Sequence, residues 1–407
     1  MSRCTDRIRL LYLTAAFPFP LSSGYLRHYH LLRELACDHH IHLMSLTGPT
    51  FSAEHASGVT GFVDRVSTFP KPAHAGRIQR AAQLLDPQRP DAAGLALARA
   101  VDDEVGRGAV DVVVLSGKET AAAADAVAGR VPLVVDLCDA TSHRISQEIS
   151  HAQPVRRAGL VVRRRGMRKI ERHLIATADQ LITASERDRS VLHDEGAPAR
   201  VLDATVIPNG IDLRYWERST RTLGSAVAFC GNLGYGPNAD AARRLVSEIM
   251  PRVWARRPET EVLIIGTGAS PALARTLRQP RVKATGSVPD VRPHLELAGV
   301  FSAPLRIASG IQNKLLEALA MELPVVTTSV AAAGLQRHGG QPPLDIADDA
   351  AGHADAILRQ LDLVEARNHR PHHTARIWVA ERFSWERSGV ALGELVDELR
   401  QREQASC

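Results

Sequence analysis

The stretch from Arg306 to Thr328, RIASGIQNKLLEALAMELPVVTT, constrains the fold more than any other part of this chain. An apolar run from Val300 to Leu305 precedes it, and a glycine turn leads into a helical pattern. Pro324 then introduces a second β-branched run. A strand, a helix and a strand in this order predict a βαβ unit.

The start of this helix is suited to an anion. The first backbone N–H groups of a helix have no partner within the helix, and the helix dipole adds partial positive charge there. Lys314, on the first turn, can add a full charge, and Glu317 lies three residues further on the same face. Its carboxylate could accept hydrogen bonds from two vicinal hydroxyls, so a phosphate and a ribose are both provided for. The simpler interpretation is a solvated salt bridge.

Length and composition limit the possible functions. At 407 residues, the chain is long enough for two domains. A net charge of +5, with arginines spread along the chain, does not indicate nucleic-acid binding. The five cysteines are far apart and form no zinc-binding spacing, and no apolar run is long enough to span a bilayer. We therefore expect a cytoplasmic protein with reduced thiols.

Strand and helix patterns alternate in both halves. Strands are expected at Ile8–Ala15, Ile41–Leu46, Val110–Leu115, Val131–Asp136, Gln180–Thr183, Val201–Ile207, Ala226–Cys230, Val262–Ile265, Val282–Thr285, Val300–Ala303 and Val325–Thr328. The pattern lapses at a polar stretch from Arg214 to Ser225. This predicts the α/β class, with two Rossmann-like doubly wound domains at 1–212 and 213–385. Ligands of such sheets bind at the carboxyl ends of the strands, so a cleft between the domains is the expected site.

One segment has an unusual composition. Residues Val155 to His173, VRRAGLVVRRRGMRKIERH, carry seven arginines and one lysine among apolar residues. Such a helix could touch an anionic membrane surface or an anionic acceptor. It could equally be a solvated helix whose arginine stems cover the domain edge, and Gly159 and Gly166 weaken the membrane-anchor interpretation.

The run PLRIASGIQNKLLEALAMELPVVTT resembles the nucleotide-sugar motif of retaining GT-B glycosyltransferases of the family 4 type. Six other pieces agree in order: PFPLSSGYLRHYHLLREL, VVVDLCDATSHR, ADQLITASERDRSVL, VIPNGID, FCGNLGYGPNADAARRL and VKATGSVPDVRPHLELAGVFSAP. The resemblance covers nearly the whole chain. It implies a hexosyltransferase that takes its sugar from a UDP- or GDP-linked donor and gives it to a hydroxyl acceptor. It further implies that the helix at 386–407 packs back on the first domain.

The resemblance assigns roles to individual residues. Glu317 would hold the ribose hydroxyls, Lys314 the diphosphate, and the backbone of Gly286 to Val288 would face the base. Gly24, after the first strand, would let the N-terminal loop approach the diphosphate. The other donor-binding residues it implies are Gly231, Asn232, Ser309, Gly310, Ile311, Gln312 and Asn313.

Two departures from the family pattern leave questions open. The family commonly has a second glutamate where this chain has Ser309, so the identity of the sugar is open. Relatives often place an Arg and a Lys in the loop that begins here at Gly231, but this loop has no cation. Arg306 is the candidate for the missing charge.

The expected chemistry needs neither a cofactor nor a metal. No DxD-type pair follows a strand, so Arg306, Lys314 and the helix start would stabilise the departing diphosphate. In relatives the leaving phosphate itself seems to accept the proton of the acceptor. Asp139 is the candidate side chain for orienting the acceptor or the sugar, followed by His143. Asp139 could also merely cap the following helix.

Three other functions were weighed. A non-catalytic nucleotide-sugar-binding module is favoured by the missing glutamate and the cation-poor loop. A GT-B nucleotide-sugar epimerase would need acid and base carboxylates that are not evident. A nicotinamide-linked oxidoreductase fits worst, because no GxGxxG follows a predicted strand. The acceptor could be a glycan, a lipid-linked sugar or a small metabolite, and peripheral contact with a membrane is compatible with the arginine-rich segment.

Overall fold

The computed structural model describes residues 7–21, 26–49, 51–72, 90–336, 340–371 and 373–406. It divides the chain into two units. Unit 1 comprises Met1–Gly210 and Trp385–Cys407, and unit 2 comprises Ile211–Ser384. Gly24 lies outside the described residues.

Unit 1 contains a seven-stranded parallel sheet. Its strands are β1 (Arg9–Thr14), β2 (His40–Thr47), β3 (Arg65–Pro70), β4 (Val112–Ser116), β5 (Leu133–Cys138), β6 (Gln180–Thr183) and β7 (Thr205–Val206). They follow the order β3-β2-β1-β4-β5-β6-β7. Leu11 and Leu13 belong to one apolar cluster, whereas Leu10 and Tyr12 belong to another. Because alternate residues of a strand point to opposite faces, both faces of this sheet are buried.

The α-helices described in the first segment of unit 1 surround this sheet. They are α1 (Leu26–Leu35), α2 (Ala53–Thr60), α3 (Ala92–Gly106), α4 (Ala124–Val127), α5 (Thr141–His151), α6 (Pro154–Thr177) and α7 (Glu186–Asp194). Short 3₁₀ turns occupy Lys118–Ala123 and Ala199–Asp203.

Unit 2 repeats the architecture with six parallel strands. They are β8 (Ala226–Cys230), β9 (Val262–Ile265), β10 (Val282–Gly286), β11 (Ala298–Ala303), β12 (Val325–Thr327) and β13 (Asp345–Ile346), in the order β10-β9-β8-β11-β12-β13. Its helices are α8 (Gly236–Arg244), α9 (Met250–Trp254), α10 (Pro271–Leu277), α11 (Arg292–Glu296), α12 (Asn313–Ala320), α13 (Ser329–Ala332), α14 (Ala350–Ala366) and α15 (Thr374–Arg382), with a π-helical segment at Leu245–Ile249. The two sheets confirm the predicted α/β, doubly wound class.

The last helix, α16 (Trp385–Ser406), belongs to unit 1 rather than to unit 2, which precedes it in the chain. Leu392, Leu395 and Val396 are buried in the same apolar cluster as Leu31 and Leu35 of α1. Unit 1 therefore takes part of its core from residues that follow unit 2 in sequence.

Three elements differ from the sequence-based expectation. The strands β3 and β13 were not predicted, because most of their residues are only partly buried and neither has a continuous apolar run. The expected strand Val201–Ile207 is a 3₁₀ turn followed by the two-residue strand β7. Val201 is buried in the core from the turn, so its apolar character does not reflect a place in the sheet.

A buried ion pair ties the carboxyl end of β5 to the last residues before unit 2. Arg27 is 2% exposed and donates from Nε to Oδ2 of Asp136 at 2.8 Å. Its Nη1 donates to the carbonyl of Ile207 at 2.9 Å and to Oδ1 of Asn209 at 3.0 Å. A desolvated charge needs such partners, because water no longer compensates it. Arg27 thus joins α1, β5 and the end of the first chain segment of unit 1.

Candidate functional site

The strand order of unit 2 reverses between β8 and β11, since β9 lies on one side of β8 and β11 on the other. In open parallel sheets, ligands bind at the carboxyl ends of the strands at such a point. Gly231 directly follows β8, and a loop from residue 304 to 312 connects β11 to α12. This loop and the start of α12 contain most of the residues that the sequence assigned to the donor.

Lys314 lies on the first turn of α12 and reaches the loop after β8. Its Nζ donates to Oδ1 of Asn238 and lies 4.8 Å from the ring centre of Phe229. Burial lowers the pKa of Lys314, and the neighbouring Glu317 and Cys230 oppose that shift. The loop after β8 has no cation of its own, but Lys314 of α12 places its ammonium group beside it.

Gly231 leaves room for this ammonium group. A Cβ added at Gly231 would lie 2.9 Å from Nζ of Lys314 and 2.8 Å from Nδ2 of Asn238. Gly266, which follows β9, packs equally closely, because its Cβ would lie 2.0 Å from the carbonyl oxygen of Gly231. Both positions require glycine for close approach, and this fixes the backbone beside Lys314.

Asn232 and Asn238 shape the same loop. Oδ1 of Asn232 accepts from the N–H of Gly234 at 2.8 Å, and its carbonyl accepts from Nδ2 of Asn238 at 3.0 Å. Asn238 therefore holds Lys314 with one end of its amide and the loop with the other. The sequence analysis missed this role of Asn238. The sequence feature that could have indicated this role is an amide side chain in the first turn of α8, shortly after the strand β8 ends.

Glu317 is half-buried on the same face of α12 as Lys314. Burial raises its pKa to about 7, and the positive charge of Lys314 opposes the shift. A carboxyl group with this pKa changes its ionisation near neutral pH. Its capacity to accept two hydroxyl hydrogen bonds therefore depends on pH in the same range.

The turn before α12 brings backbone groups to the helix start. Gly310 has φ +63°, in the left-handed region that favours glycine. A Cβ on Gly334 would lie 2.2 Å from the carbonyl oxygen of Gly310, so a second glycine supports this turn. Gln312 is the N-cap residue and makes no side-chain capping hydrogen bond, while its Nε2 donates to the carbonyl of Ser309 at 2.8 Å. Without a side-chain cap, the helix start can receive an external anion.

Arg306 is engaged by a carboxylate. Its Nε and Nη2 donate to the two oxygens of Asp240 at 2.8 and 2.5 Å, and this bonding raises the pKa of Arg306. Burial would raise the pKa of Asp240, but hydrogen bonds from Arg306 and Arg243 outweigh it and hold that pKa below its usual value. The charge of Arg306 is thus compensated, which favours Lys314 as the cation for the Gly231 loop. Nothing in the sequence indicated this pairing, which joins residues 66 positions apart.

The segment expected to face a base precedes, in sequence, an arginine that stacks on a tyrosine ring. Val288 is partly buried against the core of unit 2. Four residues on, Arg292 lies with its Cζ 3.9 Å from the ring centre of Tyr215 and donates to the carbonyl of Tyr215 at 2.7 Å. Asp290 holds the same guanidinium group at 2.7 Å. Tyr215 and Arg292 therefore form a stacked pair whose guanidinium group is also held by Asp290.

The candidate acceptor residues lie in unit 1. Asp139 follows β5, and its Oδ1 accepts from Oγ1 of Thr141 at 2.7 Å and from Nζ of Lys118 at 3.2 Å. Lys118 also donates to the carbonyls of Leu137 and Asp139. His143 contacts Glu195 through Nδ1 at 3.2 Å. The structure therefore adds Lys118 to the sequence-based candidates, as the side chain that orients Asp139.

Two searches of the described residues concern metals and membranes. Within the described ranges, no group of three or more His, Cys, Asp or Glu side chains could hold a metal ion. Among the helices of the part of the chain that the structure describes, none is long and apolar enough to cross a membrane.

A family model described as "Glycosyl transferases group 1" matches residues 224–362, inside unit 2. No curated protein matches the chain in a sequence search. The matched segment contains both the loop after β8 and the start of α12.

Solved structures match the whole chain. Sucrose-phosphate synthase from Thermosynechococcus elongatus has a TM-score of 0.69 and 15% identity, and the match covers 96% of this chain and 99% of that one. Anabaena HepE in complex with UDP-glucose has a TM-score of 0.68 and 14% identity, covering 96% and 100%. A TarM mutant of S. aureus, solved with UDP, has a TM-score of 0.66 and 10% identity, covering 97% and 99%. Nearly the whole chain therefore shares the GT-B fold of these structures, and residues 224–362 match the model of group 1 glycosyl transferases.

Proposed function

We propose that this chain is a retaining glycosyltransferase that moves a sugar from a nucleoside-diphosphate sugar to a hydroxyl acceptor. The observation that carries the proposal is the start of α12, where Lys314 and Glu317 lie beside an N-cap without a side-chain capping hydrogen bond and Lys314 contacts Asn238 after β8. A phosphate fits the cation and the backbone N–H groups, and a ribose fits the carboxylate. The backbone of Gly286–Val288 is the proposed place for the base.

Charge grows on the diphosphate as the bond between the sugar and the phosphate breaks. Lys314 and the N–H groups at the start of α12 are positioned in advance, so they stabilise that charge without reorganisation. Each such contact is worth on the order of 2–4 kcal/mol in the transition state. The departing phosphate oxygen accepts the proton of the acceptor hydroxyl as the new glycosidic bond forms on the same face of the sugar. In this scheme Asp139, oriented by Lys118, positions the hydroxyl group.

A non-catalytic nucleotide-sugar-binding module is the second candidate. It is favoured by the Arg306–Asp240 pair, which compensates a charge that the transferase could otherwise direct at the diphosphate. Incubation of the purified protein with a panel of UDP- and GDP-sugars, followed by measurement of released nucleotide, separates the two functions. A transferase cleaves at least one donor slowly in water, whereas a binding module returns every donor intact.

We expect catalysis without a divalent metal. The positive field would come from Lys314 and the helix dipole, so EDTA treatment should change the rate of donor cleavage by less than about twofold. An enzyme that uses a metal ion would lose far more, because the ion stabilises the transition state by several kcal/mol. Rates measured after EDTA and after addition of Mg²⁺ or Mn²⁺ test this. A loss of activity with EDTA that Mg²⁺ or Mn²⁺ reverses would refute metal independence.

Glu317→Ala should weaken binding of the best donor by at least about a hundredfold. Hydrogen bonds to a charged group contribute about 1.5–3 kcal/mol each, and this variant removes two of them. Isothermal titration calorimetry with the best-binding nucleotide sugar measures the effect. Glu259→Ala is the matched control, because Glu259 is exposed on unit 2 and lies outside the site. An unchanged dissociation constant in Glu317→Ala would contradict the ribose assignment.

The same experiment has a pH dependence. The ribose needs the ionised carboxylate, and the pKa of Glu317 in the free protein is about 7. Protonation competes with the donor as the pH falls, so affinity should drop about fivefold from pH 7 to pH 6 in the wild type. In Glu317→Gln the affinity should be low and independent of pH over this interval.

A further inference from the structure

The exposed surface of α6 is strongly basic, with cations on more than one side of the helix. Arg163, Arg165 and Lys169 are exposed, and none of them forms an ion pair with any residue in the described ranges. Arg156 is exposed on the same helix, and its ion pair with Glu148 is long, with Nη2 3.9 Å from Oε2. The uncompensated charge is therefore concentrated on one helix of unit 1.

The inner face of α6 is fixed in the core, in contrast to its outer face. Leu160, Ile170 and Leu174 are buried, and Glu171 accepts from the N–H of Ser142 at 3.1 Å. Arg164 lies nearer the protein and donates to Oγ of Ser146 at 3.2 Å. The basic residues that face neighbouring elements thus have partners, and the outer ones remain available to a ligand outside the chain.

An apolar strip accompanies the outer charges. Val155 is 94% exposed and Val162 is 38% exposed. They are seven residues apart, so they lie on one face two turns from each other. Ala158 and Gly159 between them are exposed and small, so a flat surface could approach the backbone. Exposed valines beside arginines suit a surface with anionic headgroups above an apolar layer.

We propose that α6 rests in the plane of a membrane surface that carries anionic lipids, with Val155 and Val162 inserted and Arg163, Arg165 and Lys169 on the headgroups. A nucleic acid is the less suitable polyanion, because α6 contains no Phe, Trp or Tyr on which a base could stack. This membrane proposal deepens the proposed function, because a membrane-bound unit 1 would lie beside a lipid-linked hydroxyl acceptor. In that respect it rests on the proposed transferase activity.

Vesicle flotation of the full chain tests the proposal. Wild type should float with vesicles of phosphatidylcholine and phosphatidylglycerol, and should stay in solution with phosphatidylcholine alone. The triple variant Arg163→Ser/Arg165→Ser/Lys169→Ser should bind the anionic vesicles about a hundredfold more weakly, since each basic residue near such a surface contributes about fivefold. The control, Arg256→Ser/Arg275→Ser/Arg278→Ser, removes the same charge from exposed positions of unit 2 and should bind like wild type.

A second variant tests the apolar strip. Val155→Ser/Val162→Ser should still bind anionic vesicles at low salt but should be released at a lower salt concentration than wild type, because only the screened electrostatic part remains. The proposal would be overturned if wild type bound neutral vesicles as tightly as anionic ones. It would also be overturned if the unit 2 control lost as much binding as the α6 triple variant. Tighter binding to a DNA duplex than to the anionic vesicles would likewise overturn it.

The outcome is distinguishable from a failure of the proposed function. Nucleotide release from a soluble donor depends on unit 2 and should be the same in the triple variant as in wild type. A protein that floats with anionic vesicles but cleaves no donor would defeat only the transferase proposal. A protein that cleaves a donor but does not float would defeat only the membrane proposal.

Discussion

Lys314→Met should lower the rate of donor cleavage by about a hundredfold to a thousandfold, the usual cost of removing one pre-positioned stabilising group. Nζ of Lys314 is held by Asn238 beside Gly231, so no motion is needed before it can meet a developing charge. Met keeps the length and the apolar stem, and only the charge is removed. Single-turnover nucleotide release, with donor in excess of its dissociation constant, measures the chemical step.

Two comparisons protect this result. Burial lowers the pKa of Lys314, which means that its charge is disfavoured in the unliganded protein, and the Met variant should fold about as well as wild type. Lys283→Met is the matched control, because Lys283 is exposed on β10 and pairs with Glu261 at 2.7 Å. A Lys314→Met protein with the wild-type rate would exclude Lys314 from diphosphate stabilisation and would return attention to Arg306.

Arg27→Met should reduce the free energy of unfolding of unit 1 by about 3–5 kcal/mol, because it leaves the carboxylate of Asp136 buried without its counter-ion. Asp136 is 2% exposed and would keep only its bond from the N–H of Cys138 among the described contacts. The carbonyl of Ile207 would lose a donor in the same variant. Urea unfolding followed by circular dichroism measures the change.

The double variant Arg27→Met/Asp136→Leu separates the two contributions. Replacement of both charges by apolar groups removes the uncompensated carboxylate, so this protein should recover most of the lost stability. Arg33 lies on the same helix and has an exposed guanidinium group. Arg33→Met is therefore the control, and it should change the free energy of unfolding by less than about 0.5 kcal/mol. Equal stability of Arg27→Met and Arg33→Met would show that the buried pair adds nothing to folding.

The fold could be predicted because buried parallel strands are short runs of apolar residues. Gln180–Thr183, Ala226–Cys230 and Val262–Ile265 have the same limits in the sequence analysis and in the structure. The strand β3 was not predicted, because a strand at an edge of the sheet needs no continuous apolar run. Val201 misled the analysis because a buried valine in a turn looks the same in sequence as a buried valine in a strand.

The candidate site could be predicted only in part. The helix start, Lys314 and Glu317 are local in sequence, so a motif reveals them. The contacts of Lys314 with Asn238, of Arg306 with Asp240 and of Lys118 with Asp139 join distant segments, and pairing of this kind has no signature in one sequence. For that reason the sequence suggested Arg306 for a charge that the geometry gives to Lys314.

The position of α16 has a consequence for biosynthesis. A ribosome makes unit 2 before it makes Trp385–Ser406, so unit 2 can fold on the nascent chain while unit 1 still lacks its final helix. Until that helix emerges, the apolar face formed by Leu31 and Leu35 has no cover from Leu392 and Val396. The half that was translated first is therefore completed last, and we expect chaperones to engage that half during translation.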